Sequence, residues 1–577
     1  MRHPADRSQP RSLPRRHCRN DGSDVREASS EDEDIKQRIN WFREDFREID
    51  RFYNVSFSST RSTRLQKFYD EHLTGLSEIS FDSLSQEGKV DYILLQNYIT
   101  RQQRQLDAEV DSNKAAEPLL LFSAGLVRLC EERQQMKPME PKKTAQDLFE
   151  TTTKVLELKG RVESKEVKIS KFSAFRAANK VDELCSLLKE WFSFYNGYDP
   201  MFTWWVSEPY KKIDEELQQL AGIIRERLVG IKGDEDDTIV GDPIGRSALM
   251  DELEAEKIPY TPEQLIEIGD NEYVWCEEEM KKASRELGYG DDWHRALEYV
   301  KDLHVEPGKQ TELVHDLARE AVDYVKTKDM VTIPQVAEEA WRMFMMSPEQ
   351  QEVNPFFLGG TSIIVSYPTD KMNHGSKLMS MRGNNPHFSR STVFHELIPG
   401  HHLQLYMNAR VNRHRSIFDT PFCIEGWAFY WEMVLWDDPE FPKGPENRIG
   451  MLFWRMHRCA RITFSLKFHL GQMTPQACID YLVDKVGHER FTAEGEVRRS
   501  FAGEYSPLYQ AAYMMGALQF YALRRELVSS GKMDEKVFHD RILKAGQMPV
   551  ELLRALLKGT RLTADFKSSW KFYDHLR

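Results

Sequence analysis

A mostly α-helical fold with one small β-sheet beside a His-Glu helix is what this sequence predicts, on three observations. Apolar residues recur at helical spacing through most of residues 36–345. Two later segments, Cys423 to Trp436 and Ile449 to Leu470, are apolar nearly all round, as expected of helices at the centre of a large helical body. Only Thr361 to Ser366, after Gly359-Gly360, has the β-branched run of a strand. At 577 residues, 40% hydrophobic and 30% charged, the chain can bury a large core and is too charged for a membrane protein.

Residues 1–35 read as a disordered tail. Six arginines in the first twenty positions give way to Ser29-Ser-Glu-Asp-Glu-Asp34, too polar for burial to offset the entropy of ordering. Residues 36–345 form a helical N-terminal lobe and 346–577 a catalytic lobe. Within the first, Ile213, Leu217, Leu220, Ile224 and Leu228 mark one helix face. Thr261-Pro-Glu-Gln264 and Ser347-Pro-Glu-Gln350 each combine a hydroxyl N-cap, Pro in the first turn and a Gln placed to close a capping box. Gly233 to Asp237 and Gly241 to Gly245 read as an exposed loop. The strand at Thr361 to Ser366 is expected to pair with a second at Lys377 to Arg382.

Charge and cysteine usage narrow the partners. The net charge of −13 disfavours nonspecific attraction to nucleic acid or anionic lipid. The most hydrophobic stretch, Ile417 to Trp436, carries Asp419, Glu425 and Glu432 and reads as a buried helix, not a membrane span. Seven scattered cysteines without Cys-x-x-Cys suggest neither a disulfide framework nor a thiolate metal site, which predicts a cytoplasmic protein.

The chemistry concentrates in His395-Glu396-Leu-Ile-Pro-Gly-His401-His402-Leu-Gln404. His-Glu is the opening of zinc-hydrolase helices, but Pro399 stands four residues after His395, where the second histidine ligand is normally found. In an unbroken helix position i+6 lies about 120° away from i, and i+7 about 10 Å along the axis. Pro399 cannot donate to the carbonyl of His395, and Gly400 accepts unusual dihedrals, so the helix is expected to bulge and return His401 to the face of His395. His402 then points elsewhere, toward substrate; His402 in place of His401 as the second ligand is the alternative. Glu425, 24 residues after His401 in an almost wholly apolar helix, needs a buried cation and is the candidate third ligand, with Arg455 or Arg461 as the alternative partner. Glu432, on the same face, is placed to orient a histidine.

Zinc bound by His395, His401 and Glu425, with Glu396 as general base for water, is hydrolase chemistry. The edge of the preceding strand would hold an extended peptide. Tyr509 and Tyr513, one turn apart, are candidates to stabilise the developing oxyanion; their bland alternative is core packing. Arg498 and Arg499 are candidates to hold a substrate carboxylate. His457 and His469, on an apolar helix, read as core histidines.

At these residues the sequence resembles the domain of unknown function 885 family, whose His-Glu-x-x-Pro-Gly-His-His-Leu-Gln and Glu-Gly-Trp-Ala signatures stand at His395 to Gln404 and Glu425 to Ala428. More loosely, the order of motifs is similar to thimet-oligopeptidase-type gluzincins. That likeness implies a large helical ellipsoid with a central channel, one zinc per chain and a short peptide as substrate, and picks Tyr513, ahead of Met-Met-Gly516, as the oxyanion tyrosine. In Arg461 to His469, Ser465 stands where the family usually carries Asp, which bears on substrate preference more than on metal. The expectation is a zinc-dependent hydrolase of short peptides. A metal enzyme acting on a non-peptide metabolite and an inactive helical scaffold remain open beside it.

Overall fold

The computed structural model of the chain describes residues 30–231, 238–353, 356–501 and 505–576. The tail before Ser30 and the acidic run Gly233 to Asp237 lie outside the described residues. Helix makes up 72% of the structure, and 23 α-helices are joined by short 3-10 turns and loops. The first helix, Ser30–Phe52, opens on the acidic residues Glu31, Asp32 and Glu33, which suit a helix N-terminus; the helical body therefore begins inside the stretch read as tail. Both capping boxes form. Gln264 N–H donates to the Thr261 hydroxyl at 3.3 Å and Gln350 N–H to that of Ser347 at 3.2 Å, each Gln side chain accepting from its cap's N–H in return.

The sheet is smaller than expected and paired differently. Strand β2, Ile363–Val365, runs parallel to β1, Met343–Met345, with Phe344 opposite Ile364. Lys377 to Arg382, read as the partner strand, belongs instead to a helix, His374–Gly383, because the Asn373 side chain caps it by accepting from Ser376 N–H at 2.8 Å. Ile363 and Val365 pack with Val393 and Leu397, so the sheet does lie against the His-Glu helix, Pro386–Glu396.

The core does not divide at residue 345. One apolar cluster joins helices near both ends of the chain, from Ile35 and Phe42 through Leu265 and Cys276 to Trp427, Ile462 and Phe520. A second gathers helices between residues 116 and 229, among them Leu148, Trp191 and Leu217. The predicted helix face is in this second body: Ile213, Leu217, Leu220 and Ile224 are fully buried.

Three helices form the centre: Pro421–Asp437 (the glutamate helix), Pro445–His469 (the long helix) and Tyr509–Arg524 (the tyrosine helix). The glutamate and tyrosine helices touch backbone to backbone. A Cβ on Gly426 would come within 2.6 Å of the Gly516 backbone, and one on Gly516 within 2.2 Å of the Phe422 carbonyl oxygen. The contact brings Glu425 and Tyr509 together. Gly426→Ala should force the helices apart and destabilise the fold by about 1–3 kcal/mol. Thermal unfolding checks this: an unchanged melting temperature would mean the interface absorbs the methyl.

Candidate metal centre

The Pro-Gly pair does more than bulge the helix; it ends it. The His-Glu helix stops at Glu396, residues 397–400 cross over through a cis Ile398-Pro399 bond, and a new helix, His401–Asn408, begins. The crossing is held by bonds six residues back: Gly400 N–H donates to Phe394 O at 3.0 Å and Leu403 N–H to Leu397 O at 3.2 Å. Gly400 is obligatory, since a Cβ there would lie 1.8 Å from the His395 carbonyl oxygen. Trp427 Nε1 donates to Pro399 O at 2.9 Å, and Gln404 Nε2 to Cys423 O at 3.0 Å, tying the crossing to the glutamate helix.

His401 thereby returns to His395, the two rings meeting edge to face with centroids 4.8 Å apart. Nε2 of His395 and Nε2 of His401 lie 3.4 Å and 3.2 Å from the same oxygen, Glu425 Oε2. Ligand atoms about 2.0–2.1 Å from a tetrahedral ion are about 3.3–3.4 Å apart, so Glu425 Oε2 stands from each imidazole nitrogen at about the spacing of two metal ligands, and His395, Glu396 and His401 also bring ligand atoms within 4.8 Å of one another. Glu396 Oε2, also close, is 4.0 Å from His401 Nε2, outside that spacing. His395 Nδ1 donates to Glu432 Oε1 at 2.9 Å, which turns Nε2 toward the cluster. Neither Arg455 nor Arg461 pairs with Glu425; they bond Glu272 and Glu496.

The electrostatics follow from burial. Burial works to raise the pKa of Glu425, but His401 and His395 hold it well below the ordinary carboxylate range. For His395 burial opposes the charge, and hydrogen bonds to Glu425 and Glu432 outweigh it and raise the pKa to about 9. The carboxylates draw positive charge to this point, whether carried as a proton or as a metal ion. Glu396 is raised by burial against the pull of His395 and His401, and its Oε2 is buried without a hydrogen-bond partner.

A cavity of about 420 Å³ opens on the cluster. Tyr509 donates to Glu425 Oε1 at 2.5 Å and so braces that carboxylate, whereas the Tyr513 hydroxyl has no hydrogen-bond partner among the described residues. Burial and Glu425 raise the pKa of both, keeping them protonated donors. Arg499 lines the cavity and Arg498 does not; Ser465 is also outside the lining. His402 is turned away, its ring nitrogens 2.8 Å from Ala337 O and 3.2 Å from Thr361 O, and it is not among the residues that line the cavity. His457 is buried as expected and bonded to His488 at 2.8 Å, but it also lines the cavity. The sequence reading missed Arg458 as a cavity residue; its signal was a second arginine one turn before Arg461 on an apolar helix.

The strand edge expected to receive a peptide is closed. Leu358 bridges Ile364 by two bonds, 3.0 Å and 2.8 Å, and Gly359, Gly360 and Ile364 all line the cavity. Gly359 passes so near the cluster that a Cβ on it would lie 1.7 Å from Glu396 Oε2.

A mostly helical body around a buried His-Glu-His cluster is thus the class of protein that fold and site define. The chain belongs to the family described as "Bacterial protein of unknown function (DUF885)", whose model matches residues 50–557. No curated protein matches it. Two solved structures share the fold, both titled as a "putative lipoprotein". That from Shewanella oneidensis is 18% identical, with a TM-score of 0.66 over 91% of this chain and 99% of its own. That from Colwellia psychrerythraea is 15% identical, with a TM-score of 0.59 over 92% and 99%. No helix among the described residues is long and apolar enough to cross a membrane.

Gly359→Ala should displace the Glu396 carboxylate while leaving His395, His401 and Glu425 in place. A crystal structure of the variant should show the Glu396 carboxylate moved away from Gly359, with His395, His401 and Glu425 in place. An unmoved carboxylate would mean that the Gly359 segment yields instead.

Proposed function

We propose that the protein is a zinc-dependent hydrolase that cleaves amide bonds of short peptides. The observation that carries this reading is the convergence of His395 Nε2 and His401 Nε2 on Glu425 Oε2, at 3.4 Å and 3.2 Å, beside the unpartnered Glu396. Two imidazole nitrogens and a carboxylate oxygen suit zinc, with a position left for water or substrate. Bound there, zinc supplies Lewis-acid polarisation of the scissile carbonyl and lowers the pKa of water.

The chain's own residues do the rest. Glu396 takes the proton from the attacking water and passes it to the leaving amine, a shuttle to which its raised pKa is suited. Tyr513 turns its free hydroxyl to the carbonyl oxygen as negative charge develops. Tyr509 and Glu432 hold Glu425 and His395 in orientation. A cavity of about 420 Å³ is at the lower end of ligand-site sizes, which favours a peptide of a few residues over a folded protein. The titles of the two structural neighbours favour a lipoprotein-like setting over the cytoplasm expected from the cysteines.

Elemental analysis of untagged protein should find about one zinc per chain, lost in His395→Ala and in Glu425→Ala. Glu396→Gln should keep the metal and lower kcat on a peptide library by about 10²–10⁴-fold. Protein that takes up no metal after reconstitution, or a Glu396→Gln variant as active as wild type, would sink the proposal.

A further inference from the structure

The wall of the cavity beside the cluster is built from arginines. Arg458 and Arg461 lie one turn apart on the long helix, and Arg499 comes from the helix Arg490–Phe501. All three line the cavity although their side chains are only 6–9% exposed. Burying three guanidinium groups together is unfavourable unless anions offset them. Two carboxylates do so in part. Glu496, fully buried, accepts from Arg461 Nε at 2.7 Å and lies 3.9 Å from Arg499. Glu432 accepts from Arg458 Nη2 at 3.1 Å, but it also serves His395.

Donors are left over. Nε and Nη1 of Arg458 and Nε of Arg499 are buried with no hydrogen-bond partner. Arg461 lies with its guanidinium carbon 4.4 Å from the centroid of the Tyr513 ring. His457, on the same wall, adds no anion; burial, then Arg461 and His488, hold its pKa well below the ordinary value. Among the described residues, three fixed cations against two shared carboxylates give this wall a positive charge, and Glu396 and Glu425 line the same cavity. A guanidinium fork is matched in geometry to a carboxylate.

We propose that Arg458, Arg461 and Arg499 form a recognition subsite for a carboxylate, and that the carboxylate is the C-terminus of the peptide. The proposal rests on the hydrolase reading for its substrate class and deepens it. Arg458 and His395 share the same Glu432 oxygen, so the subsite begins next to the metal ligands. In a cavity this small, a terminal carboxylate on the arginines sets the scissile bond one or two residues away. The enzyme is then one that trims short peptides from their C-terminal end.

Calorimetric titration of the full-length Glu396→Gln protein tests this without turnover. The probes are N-acetyl-Ala-Phe as free acid, its C-terminal amide, and N-acetyl-Glu-Phe amide, which carries a carboxylate on a side chain only. The free acid should bind at least tenfold more tightly than either amide, and Arg461→Gln in the same background should remove the difference while Arg461→Lys keeps part of it. Equal binding of acid and amide, or a preference unchanged by Arg461→Gln, overturns the subsite. If the side-chain carboxylate binds as tightly as the free acid, the terminal assignment is overturned. The comparison among ligands needs only the Glu396→Gln protein, so it stands even if the arginine variants fail to fold. A preference for the acid in protein that binds no metal would keep the subsite and remove the hydrolase reading; metal and turnover without the preference would do the reverse.

Discussion

Three carboxylates, Glu396, Glu425 and Glu432, are buried around His395 and His401, each within 4.0 Å of an imidazole nitrogen, and the rest of the architecture answers that constraint. An ionised carboxylate taken out of water without a partner is prohibitively unfavourable. Each therefore recruits positive charge: Glu432 takes His395 and Arg458, and Glu425 takes His395, His401 and the Tyr509 hydroxyl. Glu432 keeps its Oε2 unbonded but accepts twice through Oε1, whereas Glu396 has no hydrogen bond among the described residues, and burial raises its pKa. The carboxylate least satisfied by the protein is the one free to exchange a proton.

Close backbone approaches make this arrangement rigid. Gly400 lets the chain cross over the end of the His-Glu helix, Gly426 and Gly516 bring the glutamate and tyrosine helices into contact, and Gly359 runs beside Glu396. At each, a single methyl would occupy space already filled by backbone or by a carboxylate oxygen. The contacts act in different directions. One sets His401 against His395, one sets Tyr509 against Glu425, and one closes the space over Glu396. Side chains held in this way need little reorganisation when charge develops, which is the condition under which fixed dipoles are most effective.

Much of this was legible in the sequence, for identifiable reasons. Pro399 in place of the usual histidine forced a departure from regular helix, after which His401, or His402 as the alternative, could rejoin His395; the structure brings His401. Glu425 in a nearly all-apolar segment announced a buried charge, and Glu432 seven residues on announced its companion. His402 was not legible, because its two backbone acceptors, Ala337 and Thr361, are far away in sequence. Nor was the partner of β2: a parallel strand at Met343–Met345 has no local turn signal, whereas Lys377 to Arg382 lacks only the recognition that Asn373 is a cap. The arginine wall was half visible. Arg499 could be named, but that Arg458 and Arg461 face the same space depends on how the long helix is rotated against its neighbours.

The closed edge of β2 and the charged wall bear on each other. An enzyme that grips its substrate by adding it as a strand needs an open row of backbone donors and acceptors, and recognises peptide irrespective of its ends. Here Leu358 occupies that row at Ile364, and what faces the cavity is a Gly-Gly segment on one side and guanidinium groups on the other. On the proposed hydrolase reading, grip comes from a few strong, directional contacts with charge. Such contacts discriminate by the presence and position of a charged group and not by length of backbone, because a site built to bond a carboxylate leaves its donors unpaired when the carboxylate is missing. The solved structures at 15–18% identity keep the helical body while most side chains differ, so the fold itself leaves the residues on such a wall free to vary.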